Sequence, residues 1–395
     1  MMKTKNVFMV VMLTVFVLSV PSFAEVGVTD STIKVAMVCD LTGPVAVFGI
    51  QGSSGARAYF NYLNEKGGIH GRKIEFLTES DNWKPPQALA AAKKLIERDK
   101  VFCFVSNLGT PGNVAMLPLF EEKGVPNIGP MAGSTKLFNP PTKSTFVVYA
   151  PRFTYGQAEV DFIVNKLKMP KAKIAYFYQD DEIGQDSLRG LETQIKHHNS
   201  KGNPIKLVDK EPFKVRAVDF TANVLKAMNS KPDIVVIASY TPNTVRILKL
   251  IKRENWHPTL VIDPASFDPK LLDLAGDAVE GAIAHAVTPS LGADLPGVIL
   301  HRKTMKKYFP KMKPTVNSLQ GMLGAVLFHL AAEKAGKNLT RERIINVLDS
   351  GEKFDTKFMP VYTYSSKKRS GTNKTMFYKV ESGKFVQQTG WLSPE

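Results

Sequence analysis

Short apolar runs alternate along this chain with stretches in which apolar residues return every three or four positions, the pattern of strands interleaved with helices. The clearest unit spans 101–137. It has an apolar strand at 101–105, a small-residue loop at 106–113 and a helix through Met116, Leu119 and Phe120 that Gly124 stops. A second strand at 125–128 and a second small-residue loop at 129–135 complete it. A right-handed crossover sets both loops at the carboxyl edge of neighbouring parallel strands, where open α/β sheets bind ligands. Upstream, the pattern predicts strands at 33–38 and 74–77, a helix carrying Ala56, Tyr59, Phe60 and Leu63 that Gly67-Gly68 ends, and a helix at 86–98. Downstream come a strand at 145–149 and Ala150-Pro151, which reads as a hinge. A second series follows, with helices at 157–168, 184–197, 220–228 and 243–254 between strands at 174–178, 205–208, 234–238 and 260–262. The last third adds a strand at 281–287, helices at 298–308, 316–334 and 341–348, and alternating residues at 376–380 and 384–388 that read as an antiparallel hairpin. These are too many units for one sheet. The expected fold class is α/β, with two lobes built on parallel sheets covered on both faces.

The N-terminus changes the expected compartment. Lys3 and Lys5 precede an apolar run at 7–20 and small residues through Ala24, the layout of a secretory signal cleaved before Glu25. The run is shorter than the ~20 residues of a membrane span. The net charge of +16 is spread along the chain, and its one tight cluster, Lys367-Lys368-Arg369, reads as a solvated hairpin tip, so nucleic acid is not an expected partner. Cys39 and Cys103 each lie in an apolar strand pattern, which favours two buried thiols, although export permits a disulfide.

Catalytic patterns mostly fail. The loop at 129–136 lacks the Gly-Lys-Ser/Thr order that cradles phosphates, no Gly-x-Gly-x-x-Gly or Gly-x-Ser-x-Gly occurs, and the seven histidines make no metal-ligand set. Ser31-Thr32-Ile33-Lys34 and Ser80-Asp81-Asn82 fit two motifs of an exported serine hydrolase of β-lactamase type, but Lys34 leads into a strand and Lys-Thr-Gly is absent. No catalytic residue, cofactor or metal is expected. Thr110, Ala132, Gly133 and Ser134 instead offer hydroxyls and closely approaching amides to a carboxylate or other anion. Either loop alone reads equally well as ordinary caps and turns.

Asp40-Leu41-Thr42-Gly43-Pro44, then Phe48-Gly49, then Asn64-Glu65-Lys66-Gly67-Gly68-Ile69-His70-Gly71-Arg72-Lys73 resemble the type I periplasmic solute-binding proteins of ABC importers, in the leucine/isoleucine/valine group. The resemblance runs over essentially all of the chain after residue 24. It implies two Rossmann-like lobes hinged by three crossings, 25–149 with 290–358 and 150–289 with 359–395, that close on a ligand. It also implies a monomeric periplasmic protein that delivers its ligand to an inner-membrane ABC permease. A ligand sensor feeding a signalling partner is the alternative on the same fold. By this resemblance the loops at Leu108 to Thr110 and Ala132 to Ser134 hold a ligand carboxylate, and Phe48 and Tyr240 cover it. The acid that meets a ligand ammonium in amino-acid-binding members is replaced by Ala265, and neither Asp263 nor Asp181 stands at the matching place. Two further site positions become Ile183 and Asn317. The resemblance with these departures implies a small carboxylate-bearing solute, branched-chain amino acid-like, or an aromatic or aliphatic acid lacking the α-amine.

Overall fold

The computed structural model describes residues 25–214 and 216–395, so the expected signal segment at 1–24 lies outside the described residues. The first series forms β1 (Thr32–Cys39), α1 (Ala46–Glu65), β2 (Lys73–Ser80), α2 (Pro85–Glu97), β3 (Cys103–Val105), α3 (Thr110–Lys123), β4 (Asn127–Ile128) and β5 (Thr145–Phe146). Its strands run parallel in the order β2-β1-β3-β4-β5. The second series forms α4 (Arg152–Asp161), β6 (Lys173–Gln179), α5 (Glu182–Ser200), β7 (Lys206–Phe213), α6 (Thr221–Asn229), β8 (Ile234–Ala238), α7 (Thr241–Arg253), β9 (Thr259–Ile262), α8 (Pro269–Ala275) and β10 (Ile283–Ala286). Its parallel strands follow the same plan, β7-β6-β8-β9-β10. The chain then returns to the first lobe with α9 (Pro296–Tyr308), α10 (Val316–Ala335) and α11 (Arg341–Asp349). It ends in β11 (Met376–Glu381) and β12 (Lys384–Gln387), an antiparallel hairpin on the β10 edge of the second sheet. The lobes are therefore joined by three crossings.

This strand order places a ligand crevice between β1 and β3, where the winding reverses, and the equivalent switch in the second sheet lies between β6 and β8. The two switch points face one another across the cleft.

The motifs that mark the resemblance are chiefly structural. Asp40 accepts the backbone N–H groups of Thr42 (3.2 Å) and Val45 (2.8 Å), closing the turn that launches α1. At Gly68, with φ of +78°, a Cβ would lie 1.9 Å from the carbonyl oxygen of Arg72, so only glycine fits the turn into β2. Arg72 then donates to the carbonyls of Thr29 (2.7 Å) and Lys337 (2.9 Å), tying that turn to two other segments.

Two sequence expectations change, and the rejected hydrolase pattern stays rejected. The return crossing falls later than 358, because Phe354, Phe358, Tyr362 and Tyr364 are buried in the first lobe's core and Ser370 bridges to Val147 beside β5. Arg369 is buried rather than at a solvated tip: it pairs with Asp349, donates to the carbonyl of Thr142 and lies 4.7 Å from the centroid of the Phe146 ring. The hydrolase pattern does not assemble, since β1 and β2 run parallel and place Ser31 and Ser80 at opposite ends of the sheet, roughly 26 Å apart at ~3.3 Å per residue. Cys39 and Cys103 are both buried free thiols. Cys103 pairs with Val35, four residues from Cys39, which puts the two about 13 Å apart, too far for a disulfide.

Candidate functional site

Between the lobes lies a cavity of about 350 Å³. Its wall is assembled from the loops and first helical turns that follow strands: Phe48 after β1, Leu108 and Thr110 after β3, Ala132 and Gly133 after β4, Ile183 after β6, Tyr240 after β8 and Ala265 after β9. Asn317, in the first turn of α10, completes the set and donates to Gln51 (3.0 Å). Nine of the ten positions singled out from the sequence thus meet on one wall. Phe48 and Tyr240 close the cleft from opposite lobes, with ring centroids 5.8 Å apart.

Ser134 is the exception. Its side chain is fully buried and its hydroxyl donates to Glu182 Oε1 (2.7 Å) at the start of α5, while the N–H of Thr135 donates to Asp186 Oδ2 (3.0 Å). Ser134 ties the lobes together instead of facing the cavity. Its oxygen still caps the following turn by accepting the N–H of Lys136 (3.3 Å), and its proton goes to the other lobe.

The two small-residue loops are fixed from behind by a buried asparagine network. Asn107 accepts the N–H of Val38 (2.7 Å) and donates to Asn127 (3.1 Å), which donates to Asn113 (3.1 Å), which donates to the carbonyl of Gly109 (2.8 Å). Leu108 and Met131 continue the parallel ladder past the strand ends. A network this fully satisfied holds one loop geometry.

Arg152, which the sequence pattern did not single out, opens α4 just past the Ala150-Pro151 hinge and lies on the cavity wall. Its N–H donates to the carbonyl of Gly133 (3.0 Å), and a Cβ on Gly133 would stand 3.2 Å from Arg152 Cγ, so glycine lets the first-lobe loop lie against the arginine. The side chain is 14% exposed and its Nη1 donates to Asp263 Oδ1 (3.2 Å), which is fully buried. The guanidinium also lies 5.3 Å from the centroid of the Tyr155 ring. Burial opposes the charge of Arg152, and Asp263 together with Tyr240, Tyr155 and Asp181 more than restores it, leaving the pKa above the ordinary value. Beneath Tyr155, His285 sits 3.2 Å from Glu159, and burial, aided by Arg152, lowers the imidazole pKa to about 3, so it adds no charge.

Of the acids nearby, Asp181 is occupied and Asp263 only through Oδ1, its Oδ2 being buried without a hydrogen-bond partner. Asp263 also accepts the N–H of Ala265 (2.8 Å), and Asp181 caps α5 by accepting from Ile183 (3.0 Å) and Gly184 (3.2 Å). Among the described residues on the wall, the one carboxylate is Asp268, which accepts the N–H of Lys270 (2.9 Å) at the start of α8. Most other lining groups are apolar, with Trp83, Met131, Phe267 and Val316 adding to those named. The arrangement offers one buried cation and a polar loop edge at one end of an apolar chamber.

A family model described as periplasmic binding protein matches residues 32–384. The leucine-, isoleucine-, valine-, threonine- and alanine-binding protein of Pseudomonas aeruginosa is 25% identical over 267 residues, 68% of this chain and 69% of that one. Among solved structures, a fatty acid ABC transporter substrate-binding protein from Thermomonospora curvata matches with a TM-score of 0.83 and 23% identity, covering 94% of this chain and 95% of that one. A branched-chain amino acid ABC transporter protein from Thermus thermophilus with bound valine matches with a TM-score of 0.82 and 21% identity, covering 92% and 97%. Likeness at these identities establishes the fold and leaves the ligand to be argued from the cavity.

Proposed function

The chain belongs to the periplasmic binding protein family, and on that premise we propose that it captures a carboxylate with an apolar body and no α-amine, and passes it to a membrane permease. It is of the branched-chain amino acid transporter type, and the relatives it matches are solute-binding proteins, not enzymes. The periplasm is the location the family implies.

The observation that carries the ligand reading is the placement of Arg152. Arg152 lines the cavity with its backbone N–H and Cγ against the Gly133 loop, close to where the family resemblance puts a ligand carboxylate, and its guanidinium is held by Asp263. Asp263 satisfies one side of the guanidinium, and its fork of five donors has room for a second partner. Thr110, Ala132 and Gly133 supply the polar edge opposite. An ammonium, by contrast, would meet Ala265 where an acid is expected, and a buried cation left unpaired costs several kcal/mol. In this mechanism the carboxylate docks first on the first-lobe loops, closure brings Tyr240 and the 263–266 loop over it, and Phe48 meets Tyr240 beside the apolar body.

A second reading, an α-amino acid whose ammonium is met by Asp268, rests on that carboxylate's place on the wall. A thermal-shift panel on refolded, ligand-stripped protein separates the two. Leucine, isoleucine, valine and phenylalanine are compared with their amine-free counterparts and with aromatic acids. A ligand at one hundred times its dissociation constant adds about 2.7 kcal/mol, readily seen as a raised melting temperature. Shifts with the amine-free acids alone are expected. Shifts with the amino acids that vanish in Asp268→Asn would overturn the proposal in favour of the second reading.

A further inference from the structure

The cavity is not sealed where the two lobes meet the surface. There its lining runs out to the surface through four exposed apolar residues, Pro44 and Val47 from the first lobe and Pro242 and Leu274 from the second. Val47 is 55% exposed and Leu274 43% exposed, although both also line the chamber. Ile50, one turn further along α1 and 42% exposed, continues the strip beyond the cavity. Large apolar side chains facing solvent from both lips of a cleft are costly unless something covers them, and such patches mark ligand grooves or contact surfaces.

From this we infer that the ligand is longer than the chamber: an amphipathic monocarboxylate whose tail leaves between Val47 and Leu274 and lies along the apolar lip. The inference rests on the carboxylate reading of the Arg152 end. Continuity favours a ligand tail over a protein partner, because the exposed apolar residues line the same cavity as Arg152. A chain anchored at Arg152 by its carboxylate can leave along these apolar residues. Lys270, exposed on the same rim, extends a flexible stem that covers such a tail while its ammonium stays in water.

The test is calorimetric titration of ligand-stripped protein with unbranched acids from butanoic to dodecanoic, each below its aggregation threshold. It is done on the unsubstituted protein and on the double variant Val47→Ser/Leu274→Ser, whose sites are exposed and whose folding is checked by circular dichroism. Affinity is expected to rise roughly four-fold per added methylene, the transfer free energy of a buried CH2, well past the shortest acids that bind. The double variant is expected to lose more affinity the longer the acid. A plateau or decline after the short acids, or a loss equal at every length, would overturn the inference and leave the carboxylate reading standing. Binding of leucine or valine with no acid of any length bound would overturn both. If the lip serves a protein partner instead, the double variant keeps the unsubstituted chain-length slope, which also overturns the inference.

Discussion

Arg152 and Asp263 show how one residue type changes meaning with its neighbour. Alone on an apolar wall, the arginine would be an expensive buried charge; against Asp263 it becomes a fixed donor with one side still available. Removing one partner strands the other. Arg152→Gln is expected to destabilise the protein by about 3–5 kcal/mol, and Arg152→Gln/Asp263→Asn to recover most of that loss. Denaturant midpoints of the two variants and the unsubstituted protein measure both effects. Neither variant recovers affinity for a carboxylate: a charged hydrogen bond contributes about 1.5–3 kcal/mol, roughly 10- to 150-fold in dissociation constant. If the double variant binds as well as the unsubstituted protein, Arg152 holds Asp263 and nothing else.

At the scale of elements, the cleft wall depends on how closely α1 and α10 approach. A Cβ on Gly55 would lie 1.8 Å from the carbonyl oxygen of Ser318, and one on Gly321 would lie 2.0 Å from that of Gly52. Both clashes are with backbone, which cannot swing aside as a side chain does. The crossing matters to the site because α1 begins beside Phe48 and α10 begins beside Asn317. Gly321→Ala is expected to cost about 3 kcal/mol, the upper end for overpacking, and to weaken ligand binding by separating the two helix starts. Chemical denaturation checks the first effect and titration the second. Periodicity locates both helices, yet a glycine inside a helix reads in sequence as a weak point; its use as a contact surface belongs to the partner helix.

At the scale of the whole molecule, the lobes meet through contacts that hold the cleft shut. Ser134 and Thr135 reach Glu182 and Asp186 of α5, and Phe48 reaches Tyr240. Ligand and latch favour the same closed form, and a ligand shifts that equilibrium only by its differential affinity for it. Glu182→Gln/Asp186→Asn is expected to enlarge the radius of gyration of the ligand-free protein in small-angle scattering. It should also lower ligand affinity several-fold, because closure then draws on the ligand alone. An unchanged radius would mean that the latch does not set the resting state.

Much of this was written in local order. The alternation of apolar runs and helical periodicities determined the α/β class and almost every strand and helix, because each element's apolar face repeats at its own period regardless of what it packs against. The loops at strand ends were legible for the same reason: small residues after an apolar strand mark the carboxyl edge, where ligands bind in such sheets. Tertiary structure alone decided what local order cannot encode, namely which side chain meets which across long separations. Ser134 turned from cavity to latch because Glu182 stands opposite it, and Arg369 left solvent because Asp349 and Phe146 receive it. Arg152, one arginine among many in a basic chain, became the cavity's buried cation because the fold brings Asp263, 111 positions later, to 3.2 Å. Charge and hydrogen bonding act through space, and the sequence orders residues only along the chain.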